Sequence, residues 1–125
     1  MIPDVRIGVI GLGYVGLPLA VAFSRYFEVV GYDSDSTRIA ELSEGRDRTS
    51  EVEFEPGAIN RSMISFSDQA NSLLGVNFYC VCVLTPIDEN KKPDLTPLRK
   101  ACKTVASVLT KGDIVVFEST VYPGA

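Results

Sequence analysis

The sequence contains no histidine, so the side chain most often used for proton transfer near neutral pH is absent from its chemistry. It has three cysteines, Cys80, Cys82 and Cys102, set inside apolar segments. The odd count and the lack of zinc-type spacing leave no basis for a disulfide framework or a thiolate metal centre. All three are expected to be reduced packing residues. Cys80 and Cys82 share one strand face in NFYCVCVL, and Cys102 aligns with Leu95, Leu98, Val105 and Leu109 on a helix. No apolar run approaches the ~18 residues that cross a bilayer. The N-terminus MIPDVRIGVI enters an apolar strand without a basic leader, so neither membrane insertion nor export is expected, and a cytoplasmic location is. Positive charge is also scarce. Twelve Lys and Arg stand against sixteen Asp and Glu, a net charge of −4. With no run of five or more like charges, there is no basic face for nucleic acid.

What is present describes a globular chain. Apolar residues make up 46% and charged residues 22% of 125 positions, enough for one hydrophobic core. VRIGVI at 5–10 is short and β-branched and ends at a glycine cluster, as a buried parallel strand does. Residues 17–27 are apolar almost all round, with Pro18 in a first helical turn, and predict a buried helix. EVVGYD at 28–33 predicts a second strand, and 34–44 a helix that opens on cap-type residues. Residues 45–57 are charged and non-periodic, longer than the usual connection, and read equally as a functional loop or a solvated insertion. A third strand is expected at 63–67, a short helix at 68–74, and a strongly apolar, central strand at 77–84. A turn-rich segment holding Pro86 and Pro93 follows. Apolar positions 95, 98, 102, 105, 106 and 109 then predict an amphipathic helix over 95–110, with a fifth strand at 113–118. Alternation of this kind calls for a doubly wound, Rossmann-like α/β domain: a parallel sheet in the order 3-2-1-4-5 between two helical layers.

The glycine cluster carries the chemistry. Gly11-Leu12-Gly13-Tyr14-Val15-Gly16 lies between a predicted strand and a predicted helix, and an acid, Asp33, follows about 20 residues on. Gly11 permits the tight turn, Gly13 lets a diphosphate approach the backbone, and Gly16 lets helix and strand pack closely. The helix N-terminus offers free N–H groups and partial positive charge to the phosphates. Asp33 can accept hydrogen bonds from both adenosine ribose hydroxyls and would repel the extra phosphate of NADP, so NAD is the expected cofactor. Arg38 reads two ways, as a group reaching the adenosine phosphate edge or as a solvated helix residue. Thr85-Pro86 and Ser119-Thr120 lie at the carboxyl ends of the fourth and fifth strands, where their hydroxyls either meet the nicotinamide ribose and substrate or simply terminate strands.

GLGYVGLPLAVAF at 11–23, GYD at 31–33, TPID at 85–88 with PDLTPL at 93–98, and KGDIVVFESTVYPGA at 111–125 resemble the UDP-glucose/GDP-mannose dehydrogenase family. The likeness runs along essentially the whole chain. FESTVYPG and the charged GRDRTSEVE loop are similar to the branch acting on UDP-N-acetylhexosamines, the Vi polysaccharide biosynthesis type. The resemblance implies a nucleotide-sugar 6-dehydrogenase of polysaccharide biosynthesis that oxidises a primary alcohol to a carboxylate. It does so by two hydride transfers to NAD, with thiol attack on the intermediate aldehyde. It places Gly11, Gly13, Tyr14, Val15 and Gly16 on the pyrophosphate, Asp33 and Arg38 on the ribose side, and Thr85 with Pro86 on the cofactor beyond the fourth strand. Thr120 falls near the nicotinamide as an auxiliary catalytic group.

None of the three cysteines matches the family's nucleophile. That cysteine, the active-site lysine and asparagine, the central dimerisation helix and the UDP-binding domain all belong downstream. Residues 1–125 are therefore expected to be the N-terminal NAD-binding domain of a longer enzyme, inactive alone. The full-length protein is expected to be a homodimer or larger homo-oligomer that takes a UDP-sugar. No metal is called for. The rival readings are a non-catalytic NAD sensor, a Rossmann dehydrogenase of the hydroxyacid or 6-phosphogluconate type, and a methyltransferase, whose loop usually lacks the third glycine.

Overall fold

Short apolar runs form the strands expected of them, the inner ones buried on both faces as central parallel strands are, and the edge strand at 114–117 more open. The computed structural model describes residues 4–44, 63–87 and 89–118. Its strands are β1 (Arg6–Ile10), β2 (Glu28–Tyr32), β3 (Ile64–Ser67), β4 (Phe78–Val81) and β5 (Ile114–Phe117). All neighbours pair in parallel, in the order β3-β2-β1-β4-β5. Helices α1 (Gly16–Phe23), α2 (Ser36–Ser43) and α3 (Thr96–Val108), with a 3-10 turn at Ala70–Leu73, complete the elements. The predicted loop at 45–57 and the Ser119-Thr120 pair lie outside the described residues.

Strand alternation sends side chains to two separate cores. On one face, Ile7, Val9, Val29, Cys80 and Cys82 pack with Leu17, Ala20 and Val21 of α1 and Leu42 of α2. On the other, Ile10, Tyr79 and Val81 pack with Leu73, Val76 and Ala101 and Val105 of α3. Full burial of each Leu or Val contributes about 1.5–3 kcal/mol. The order in which the parallel strands are laid down switches sides between β1 and β4, which opens a crevice beyond their carboxyl ends.

Several boundaries differ from those expected, each for a local reason. α1 stops at Phe23 rather than Phe27, because the Ser24 hydroxyl donates to the Val21 carbonyl at 2.6 Å and draws the chain into a turn. α2 begins two residues late because Asp35 is its cap, its Oδ1 accepting from the Thr37 and Arg38 amides at 3.0 and 3.3 Å. The short helix expected at 68–74 is a single 3-10 turn. Asn77 falls outside β4. Its side chain accepts from the Arg6 amide at 3.0 Å and donates to the Asp4 carbonyl at 2.7 Å, tying the chain entering β1 to β4. Asp94 starts α3 by accepting from the Thr96 amide at 2.9 Å, and the Thr96 hydroxyl and amide together hold its carboxyl below the usual range.

Cys102 corrects the sequence reading. The stripe of α3 that meets the sheet is Leu98, Ala101, Val105 and Val108, at helical spacing but one position away from Cys102, which is exposed. Leu95 and Leu109 lie on the rim, 36% and 44% exposed. Cys80 and Cys82 are buried as expected. Burial raises both thiols, Cys82 to about 12, with the Glu118 carboxylate adding to the effect.

In the folded chain at pH 8, an alkylating reagent should therefore modify Cys102 alone, and all three thiols after unfolding. Because the folded state keeps the Cys82 proton where the unfolded state loses it, that contribution to stability is present below pH 9 and lost as pH rises towards about 12. Mass spectrometry of labelled protein checks this, and labelling of Cys80 or Cys82 at the rate of Cys102 would contradict the packing.

Candidate functional site

The chain leaves β1 through a turn that only glycine can make. Gly11 has φ +97°, and a Cβ there would lie 2.9 Å from the Cys82 carbonyl oxygen. Its amide donates to the Tyr32 carbonyl at 2.8 Å, extending the β1–β2 pairing into the turn. A Cβ at Gly16 would lie 1.7 Å from the Gly11 carbonyl oxygen, so α1 starts directly against the loop. Gly13 differs from both. Nothing lies within 4 Å of the position its Cβ would take, and its backbone borders open space. No side chain caps α1 and no acidic residue sits in its first turn. The positive end of the helix is thus left for an external anion. Tyr14 and Val15, 62% and 44% exposed, flank it.

Asp33 stands half-buried just past the tip of β2. Its Oδ2 accepts from the Leu12 amide and its Oδ1 from the Asp35 amide, both at 2.9 Å. Each carboxylate oxygen has a second lone pair, so the group keeps capacity for two ligand hydroxyls. Arg38 is not on a solvated face. It is 3% exposed and lies behind the loop, its Nε donating to the Leu12 carbonyl at 2.8 Å. Its Nη1 is 3.8 Å from Glu41 Oε1.

The glycine loop, Asp33, Ser34, Val83, Leu84 and Pro86 line a cleft of about 500 Å³, within the range of small-molecule sites. Its remaining wall is the N-terminal part of α3, including Thr96, Lys100 and Thr104, which the sequence reading did not single out. Their signal was available: Lys100 and Thr104 are four apart on one face of the helix that follows β4, beside the switch in strand order. Thr85 is not among the lining residues. Its Oγ1 is buried and has no hydrogen-bond partner among the described residues. Thr120 is outside them. Also among the described residues, no group of three or more His, Cys, Asp or Glu could hold a metal ion, and no helix is long and apolar enough to cross a membrane.

These groups fit NAD. The open backbone at Gly13 and the uncapped helix suit a diphosphate, and Asp33 suits a ribose diol.

Comparison with known proteins agrees with the geometry. Residues 5–125 match the family described as UDP-glucose/GDP-mannose dehydrogenase family, NAD binding domain. A UDP-N-acetyl-D-glucosamine 6-dehydrogenase from Pseudomonas aeruginosa is 52% identical over 122 residues, 98% of this chain and 29% of that protein. One from Salmonella typhi is 49% identical over 126 residues, again 98% of this chain and 29% of its own length. Among solved structures, a UDP-D-ManNAc dehydrogenase from Pyrococcus horikoshii superposes with a TM-score of 0.79 at 36% identity, covering 95% of this chain and 29% of that one. The chain thus spans under a third of the length of these relatives.

The glycines separate folding from binding. Gly16→Ala drives a Cβ into the Gly11 carbonyl and should cost about 3 kcal/mol or more of stability. Gly13→Ala meets no atom of the chain. It should melt within ~2 °C of the wild type yet bind NAD at least about tenfold more weakly, a loss of about 1.4 kcal/mol. Calorimetric melting and NAD titration check both. A Gly13→Ala variant with unchanged NAD affinity would refute a diphosphate at this loop.

Proposed function

This chain belongs to the UDP-glucose/GDP-mannose dehydrogenase family as its NAD-binding domain, and from that premise we propose that it holds the cofactor of a UDP-N-acetylhexosamine 6-dehydrogenase. The enzyme oxidises the sugar's primary alcohol to the uronate for polysaccharide biosynthesis. The observation that carries the reading is the likeness, along nearly the whole chain, to dehydrogenases named for UDP-N-acetylhexosamines. The cleft supports it. Backbone N–H groups from Gly13 to Gly16 take the diphosphate, beyond the Gly11 and Leu12 amides already held by Tyr32 and Asp33, with Tyr14 and Val15 flanking it, and Asp33 takes the adenosine ribose. The family resemblance assigns Thr85 and Pro86 to the nicotinamide side and gives Thr120 the part of an auxiliary group at the reacting centre. When bound, NAD supplies the acceptor for two hydride transfers. The chain's part is to fix the cofactor's orientation and keep one face open to substrate.

The same proposal makes residues 1–125 one N-terminal domain that cannot complete the reaction alone. Cys80 and Cys82 are buried in the sheet, and Cys102 sits on the outer face of α3. Of the three only Cys82 borders the cleft, and burial raises its thiol to about 12, so it stays protonated there and supplies no thiolate nucleophile. The thiol, the UDP-binding groups and the surfaces of a homodimer or larger homo-oligomer then belong to the remainder of a cytoplasmic enzyme.

With UDP-N-acetylglucosamine and NAD, the full-length protein should form two NADH per sugar oxidised, and residues 1–125 should bind NAD without forming any. Absorbance of NADH alongside chromatography of the sugar product checks both. NADH formation by residues 1–125 alone would contradict the division of labour. NAD binding without oxidation of any UDP-sugar by the full-length protein would contradict the enzyme assignment and point to a sensor.

A further inference from the structure

The hydrogen bonds behind the cleft close into a ring. The Leu12 amide donates to Asp33 Oδ2 at 2.9 Å, the Asp35 amide to Asp33 Oδ1 at 2.9 Å, and the Arg38 amide to Asp35 Oδ1 at 3.3 Å. The Arg38 side chain then returns to the start, its Nε donating to the Leu12 carbonyl at 2.8 Å. Both polar groups of one residue in the middle of the glycine loop are therefore held by charged side chains. The Leu12 side chain itself is wholly buried in the core beneath α1.

Leu12 lies between the turn at Gly11 and the open backbone at Gly13, so the direction of its carbonyl sets the plane of the peptide whose N–H belongs to Gly13. A guanidinium fixed on that carbonyl orients the Gly13 N–H before any ligand arrives. It also polarises the same peptide, strengthening the N–H as a donor to an anion. We propose that Arg38 is a positioning residue of the cofactor site, acting through the Leu12 carbonyl to hold the loop ready for the diphosphate. Asp33 thereby serves the ribose and the loop at once, and α2 joins the glycine loop in one rigid unit. This rests on the assignment of NAD to the cleft.

The test uses the full-length protein and compares ADP with adenosine, which share the ribose diol and differ in the diphosphate. In Arg38→Met and Arg38→Lys variants, ADP affinity by calorimetry should fall about tenfold or more, with Lys partly restoring it. Adenosine affinity should stay within about twofold. Hydrogen exchange of the peptide spanning residues 11–17, measured by mass spectrometry without ligand, should quicken in both variants. Equal weakening of ADP and adenosine would overturn the proposal, since it would mark a direct ribose contact or a general loss of fold. The wild type decides even where a variant does not fold. Slow exchange of the loop before ligand is expected, and free exchange that slows only with ADP overturns it. Failure of the wild type to bind ADP at all would instead refute the cofactor assignment.

Discussion

The narrow gap between Gly16 and the Gly11 carbonyl, where a Cβ would come within 1.7 Å, governs the rest of the structure. It lets α1 begin almost at the end of β1, so the helix axis points its uncapped N-terminus at the crevice where the strand order reverses. A larger residue would push the helix away. It would part Leu17 and Ala20 from Val9 and Val29 and move the positive end of the helix off the site. Packing and the proposed binding thus depend on the same missing atoms, though not at the same residues: Gly11 and Gly16 serve the backbone contact, and the proposal gives Gly13 to the ligand.

The charged residues around this loop are structural before they are functional. Both oxygens of Asp33, the group proposed for the ribose, already accept backbone amides. Such preorganisation matters for a site whose main donors are peptide N–H groups, because a loop that must be ordered on binding loses affinity to entropy. The ring through Leu12, Asp33, Asp35 and Arg38 removes that freedom in advance.

Much of this was legible in the sequence. The β-branched runs, the glycine spacing and the acid after the second strand lead directly to the parallel order and to the crevice. Their signals are local and follow the period of a strand or a helix. What was not legible depended on the direction of single side chains. The Ser24 hydroxyl ends α1 four residues early. Cys102 matches the apolar period of α3 but falls just off the stripe that the sheet selects. A long side chain such as Arg38 can turn to solvent, ligand or backbone, and spacing alone does not distinguish these. Lys100 and Thr104, by contrast, line the cleft from α3, as their shared face on the helix after β4 already signalled. The charged loop at 45–57 and the segment from residue 119 onward match the family by their wording and lie outside the described residues.

The central claim is that a stretch of backbone bare of side chains receives a diphosphate while a carboxylate at the next strand tip receives the ribose. A crystal structure of the protein with NAD tests it most directly. The diphosphate should lie against the Gly13 amide at the start of α1, with the adenosine ribose hydroxyls on Asp33. A diphosphate bound away from Gly13, or a ribose out of reach of Asp33, would contradict it.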